Sequence, residues 1–178
     1  MKPLLPVHAA DHVRGPVDAP LTIVQYGDYD CPHTRASHGV LARLLPSLDH
    51  EVRFVFRHFP LRHIHVNAEV IAEIAEAAAV QGKFWPMHDH LMAHRKRVTR
   101  EHVMADAVAA GVALDAIDDL VGSPAIRSRI ESDVESGKAS GVHSTPTFFF
   151  NGTLFDGHYD DKTLREQIDR ALGSGSGA

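Results

Sequence analysis

Cysteine is nearly absent from this 178-residue chain, which has only Cys31. A single thiol excludes an internal disulfide framework and suits a reducing compartment. It also excludes the paired cysteines of a dithiol redox site or a zinc ribbon. Long apolar runs are missing too. No stretch approaches the ~20 apolar residues of a membrane span, and "MKPLLPVHAADHVRGP" at the N-terminus lacks the ~7–15-residue apolar region of a secretory signal. These absences together predict a cytoplasmic protein with no membrane partner. There is no excess of basic charge: the net charge is −5 with histidine neutral. Lysine and arginine are scattered, which speaks against a nucleic-acid partner. No internal repeat is visible.

What the chain does contain is 44% hydrophobic residues and an unusual 14 histidines. That length and apolar content suit one domain burying roughly 70% of its unfolded surface. "APLTIVQYG" (19–27) and "EVRFVFRHFP" (51–60) read as strands. Between them Val40, Leu41, Leu44, Leu45 and Leu48 form a helical stripe. A β-α-β unit with a parallel strand pair follows from that order. An all-helical block comes next, with Thr99 and Ser123 as N-caps and Pro124 at a first helical position. The chain then returns to strand at "TPTFFFNGTLF", where Asn151-Gly152 signals a hairpin with a type I′ turn. A last helix spans Asp160 to Leu172. "GSGSGA" at the C-terminus has linker composition.

This order resembles the thioredoxin fold with a helical insertion, and four motifs point to the DsbA family of thiol–disulfide oxidoreductases. They are "YGDYDCP" at the first strand–helix junction, "FRHFPL" after the second strand, "GKFWPMHDHL" in the insertion and "GVHSTPTFFFNG" near the end. The expected organisation is an α/β thioredoxin-like core from residues 12–62 and 139–172, a helical insertion from 63–138, and a disordered tail from 173–178. The resemblance implies that Cys31 is the nucleophile at the start of the first core helix. Pro146 corresponds to the family's cis-proline opposite the thiol. Thr145 offers its backbone to an extended peptide, with Pro32 and Pro146 also on the substrate side.

Two positions depart from the family pattern. The usual Cys-x-x-Cys is here Cys31-Pro32-His33-Thr34, and the usual glutamate six residues before the nucleophile is Gln25. A helix N-terminus supplies partial positive charge and free N–H donors that favour a thiolate. His33 adds a polar or cationic neighbour, and Thr34, one turn on, is placed to aim its hydroxyl at the sulfur. Asp28 and Asp30 suit a helix N-terminus but oppose ionisation of the thiol. Without a second cysteine the site depends on an external thiol to release a mixed disulfide, glutathione being the candidate co-substrate. Protein or small-molecule thiols and disulfides are the expected partners.

Two alternatives stand beside this reading. One is a glutathione transferase or isomerase similar to the kappa class, and the other is a peptide-binding module without turnover. His90 and His94 sit four apart on a helix, with His88 and Asp89 beside them, and His58, His63 and His65 lie elsewhere. With no CxxC, no HExxH and no evident third ligand, no metal site is expected.

Overall fold

The computed structural model describes residues 4–48, 50–94 and 98–173. Of the expected tail, 174–178 lie outside the described residues. Gly173 belongs to the final helix.

Among the described residues the chain forms β1 (His12–Arg14), β2 (Leu21–Gly27), α1 (Pro32–Leu44), a 3₁₀ turn (Leu45–Leu48) and β3 (Val52–His58). The helices α2 (Ala68–Val80), α3 (Phe84–Ala93), α4 (Arg100–Ala109), α5 (Leu114–Leu120) and α6 (Pro124–Ser140) follow. The hairpin β4 (Thr147–Phe150) and β5 (Thr153–Phe155) then leads into α7 (Asp161–Gly173). The strands form one mixed five-stranded sheet in the order β1-β3-β2-β4-β5. β2 and β3 pair in parallel, with Gly27 opposite His58, so both strands end at the same edge of the sheet. This is a thioredoxin fold.

Alternation along the central strands divides the core into two layers. Phe54, Phe56, Phe148 and Phe150 pack on one face with Leu41 and Leu44 of α1. Val24, Tyr26, Val55 and Phe149 pack on the other with Ile126, Ile130 and Val134 of α6. That second contact is close at Gly137 of α6, where an added Cβ would lie 2.8 Å from the Phe59 ring. The helix caps follow the sequence: Thr99 accepts from the His102 backbone N–H, and Ser123 accepts from that of Ile126. Asn151 and Gly152 take φ values of 46° and 80°, the positive pair that a type I′ turn requires.

One buried charge anchors the N-terminal segment to the sheet. Arg57 is fully buried on β3 and donates from Nε and Nη2 to the Asp11 carboxylate, both at 2.8 Å. Its Nη1 donates to Tyr26 Oη at 2.8 Å. Burial opposes this cation, but the bonds to Asp11 and Tyr26 outweigh it and hold the guanidinium above its ordinary value.

Candidate functional site

The common end of β2 and β3 carries the loop that presents the thiol. Cys31 is the N-cap of α1, in extended backbone (φ −77°, ψ 118°) and without a side-chain cap. Pro32 follows at the first helical position, where its missing N–H costs nothing. The Cys31 side chain is 3% exposed. Its S–H donates to the Thr145 carbonyl at 3.4 Å, and the Thr145–Pro146 peptide is cis. The fold therefore brings Cys31 of the first half together with Thr145 of the second, 114 residues later. Pro32 and His33 are exposed beside them.

Thr34 does not do what its position suggested. Its hydroxyl makes no hydrogen bond to the Cys31 sulfur; it accepts from the Asp28 backbone N–H at 3.4 Å. Packing is the reason. A Cβ on Gly27 would come within 3.0 Å of the Thr34 Cγ2 and 2.5 Å of the Phe56 ring. The Thr34 methyl thus fills the space that glycine leaves, which turns the hydroxyl toward the loop. The aspartates also serve another purpose than the helix start. Asp28 accepts from the backbone N–H groups of Asp30 (2.8 Å) and Leu61 (3.0 Å), and from His65 Nδ1 (2.7 Å). Asp30 accepts from the Asn67 backbone N–H at 3.3 Å. Both carboxylates tie the thiol loop to the segment after β3.

Gln25 is fully buried beneath α1. Its amide donates to Ser37 Oγ at 3.4 Å, and Ser37 in turn donates to the Thr34 carbonyl at 2.8 Å. Gln25 Oε1 and Thr145 Oγ1 are buried without hydrogen-bond partners among the described residues.

Sequence reasoning missed Arg35, although its place one turn after Cys31 was a usable signal. It is 6% exposed and donates to the Tyr29 carbonyl (2.6 Å) and the His94 carbonyl (2.9 Å). Burial presses its guanidinium below the ordinary value, against the pull of Asp30, Cys31 and Asp28. Beside it a groove of about 940 Å³ opens between α1 and α3. The groove begins at Pro32 and Arg35 and runs past His38 and Asp89 to Leu45 and Leu48. Cys31 is not part of its wall.

The histidines gather differently from their spacing in sequence. His90 is exposed, and His94 pairs with Asp106 at 2.6 Å. Among the described residues, two other groups bring possible ligand atoms within 4.8 Å of one another: His12 with His58 and Glu76, and His38 with His88 and Asp89. In the first, burial opposes the Glu76 charge, but hydrogen bonds from both imidazoles hold its carboxyl well below the usual range. In the second, burial pushes His38 down to about 4 and His88 well below its ordinary value.

Residues 8–170 match the family model described as thioredoxin. A thioredoxin-like oxidoreductase from Silicibacter pomeroyi DSS-3 superposes with a TM-score of 0.81 at 25% identity, covering 93% of this chain and 94% of that one. The thiol-disulfide exchange protein alpha-DsbA2 from Wolbachia pipientis shares the fold with a TM-score of 0.77 at 22% identity, over 91% of this chain and 87% of that one. A Na(+)/H(+) antiporter NhaA 1 from Salinispora arenicola is 38% identical over 162 residues, which are 91% of this chain and 25% of the antiporter. The chain spans about a quarter of the length of the curated relatives it matches.

A periplasmic thioredoxin-like protein from Salmonella enterica serovar Typhimurium also shares the fold, with a TM-score of 0.78 at 20% identity over 92% of this chain and 91% of that one. Neighbours of this kind point away from the cytoplasm and overturn the cytoplasmic expectation. A lone cysteine has no partner within the chain in any compartment, so it never reported the redox environment.

Proposed function

The chain belongs to the thioredoxin family and has the fold of DsbA-type thiol–disulfide oxidoreductases, and from that premise we propose that Cys31 exchanges disulfides alone. An external low-molecular-weight thiol, for which glutathione is the probe, resolves the mixed disulfide. The observation that carries this reading is the setting of Cys31: it caps α1, its sulfur lies against the Thr145 carbonyl, and it is the chain's only cysteine.

The cycle balances with one thiol. The Cys31 thiolate attacks the glutathione sulfur of a glutathionylated substrate. A bond forms between Cys31 and that sulfur, and the substrate leaves as a thiolate that takes up a proton. A second glutathione thiolate then attacks the mixed disulfide, giving glutathione disulfide and the free Cys31 thiolate. Overall one glutathione thiol is consumed: the substrate's mixed disulfide is reduced to a thiol, and its glutathionyl group leaves in glutathione disulfide. The helix N-terminus favours the anion at each stage. Arg35 holds the loop through the Tyr29 carbonyl and places a buried positive charge one turn away.

The test is turnover of a glutathionylated peptide in a glutathione-coupled assay. Wild type should turn over and Cys31→Ser should not. Thr34→Cys should add activity toward dithiol substrates, because position 34 lies on the same turn as the nucleophile. Equal rates for wild type and Cys31→Ser would overturn the reading. One observation favours a second reading: the thiol is only 3% exposed. A peptide-binding module without turnover would keep the surface at Thr145–Pro146, bind peptide disulfides and release them unchanged.

A further inference from the structure

We propose that His38, His88 and Asp89 form a binding site for a divalent transition metal of the zinc class, set between α1 and α3 and facing the groove that begins at Pro32. The site rests on geometry separate from Cys31, so it stands or falls independently of the disulfide-exchange reading.

Two elements converge to build it. α1 contributes His38, and α3 contributes His88 and Asp89, with one ligand atom from each lying within 4.8 Å of the others. A tetrahedral zinc with bonds of ~2.0–2.1 Å holds its ligand atoms about 3.3 Å apart. Closing the remaining gap falls to Asp89, whose side chain is 46% exposed.

The independent pointer to a ligand is an unspent nitrogen on His88. His88 is fully buried, and its Nδ1 lies 2.9 Å from Tyr29 Oη. Its Nε2 has no partner among the described residues, and neither does the buried Nδ1 of His38. The two rings are 4.9 Å apart in an edge-to-face arrangement. A buried polar atom left unpaired costs about 1–3 kcal/mol, and native interiors hold few of them. The one on fully buried His88 therefore calls for an explanation, and a metal ion supplies one.

The surroundings fit that assignment. If His88 donates its Nδ1–H to Tyr29 Oη, the lone pair on Nε2 is left for the ion, the outer-partner arrangement common to metal-bound histidines. Arg14 donates to Asp89 Oδ2 at 2.7 Å while lying over the Trp85 ring, 4.4 Å from its centroid. The other carboxylate oxygen, Oδ1, lies 4.0 Å from His38 Nε2. Arg14 thus orients the carboxylate, and its own charge weakens the site for the ion. Two imidazoles and one carboxylate suit zinc, cobalt or nickel over magnesium or calcium. His38 and Asp89 both line the groove, which gives the ion an entry path and leaves one coordination position open.

The other histidine group does not carry the same inference. There His12 Nε2 and His58 Nε2 both already bond one oxygen of Glu76, at 2.6 and 2.8 Å.

The experiment is a cobalt(II) titration of the metal-stripped full chain, followed by visible absorption, with zinc competition by calorimetry. One cobalt per chain should bind with d–d bands of low coordination number and no thiolate charge-transfer band, since Cys31 is not a ligand. His38→Ala should abolish these bands. Asp89→Asn, a change at an exposed side chain that leaves the fold intact, should weaken affinity about tenfold or more. Glu76→Gln should leave binding as in wild type. Absence of cobalt and zinc binding to folded wild type would overturn the proposal. So would affinity that Asp89→Asn and His38→Ala leave unchanged, or that Glu76→Gln removes.

Discussion

Two polar clusters flank α1, and they are built in opposite ways. At the thiol corner the Asp28 carboxylate is fully engaged: one oxygen accepts from Asp30, and the other from Leu61 and His65. On the α3 side His88 is as deeply packed and His38, its side chain 12% exposed, is less so, yet each keeps a nitrogen without a partner among the described residues. The saturated cluster is scaffold, holding the loop that presents Cys31. The unsaturated one is placed for something that comes from outside the chain. Burial is common to both, so saturation separates the two roles better than burial does.

Breaking the scaffold should have the largest effect. Asp28 is 2% exposed. Asp28→Ala leaves two buried backbone N–H groups and His65 without their acceptor, so stability should fall by about 3–5 kcal/mol. Urea unfolding measures it. A loss under about 1 kcal/mol would erase the contrast, since it would mean that water replaces the carboxylate at little cost.

Acid should expose the other cluster, measured with a chelator present. The unfolded chain protonates His38 below about 6.5, whereas the folded chain, with this histidine buried, does so only below about 4. Between those values the unfolded state holds more protons, so stability falls as pH is lowered through that window. His38 alone accounts for about 3 kcal/mol, and His88, pushed down further by burial, acts in the same direction. Urea midpoints at pH 7, 5.5 and 4 report the slope, and His38→Gln should flatten it.

The smallest effect sharpens the comparison at the thiol itself. Thr34→Val removes only the 3.4 Å bond from the Asp28 N–H, at a cost of about 1 kcal/mol or less. Alkylation of Cys31 should proceed as in wild type, because the hydroxyl is not bonded to sulfur. A marked slowing would restore Thr34 to the role its sequence position suggested.

Much of the fold was legible because local rules carried it. Thr99 and Ser123 cap the helices they precede. Asn151-Gly152 turns the hairpin, and the alternating phenylalanines of β3 and β4 divide the core. The placement of Cys31 was legible for the same reason: a strand end, a proline and a helix stripe are local signals. Side-chain direction was not. Thr34 turns away from the sulfur because Gly27 and Phe56, on two different strands, leave room for its methyl. The Asp11–Arg57–Tyr26 anchor joins residues up to 46 apart. His38 meets His88 only because α3 docks on α1. The spacing of His90 and His94 drew attention to a helix face that the fold leaves apart from both histidine groups.

The central claim is that Cys31 is a working nucleophile although it is 3% exposed. Intact mass of the native chain after oxidised glutathione tests it most directly. The account predicts rapid addition of one glutathione at Cys31, removed by reduced glutathione and absent in Cys31→Ser. A native chain that stays unmodified, while the urea-unfolded chain reacts, would contradict it: the thiol would then be a buried packing residue.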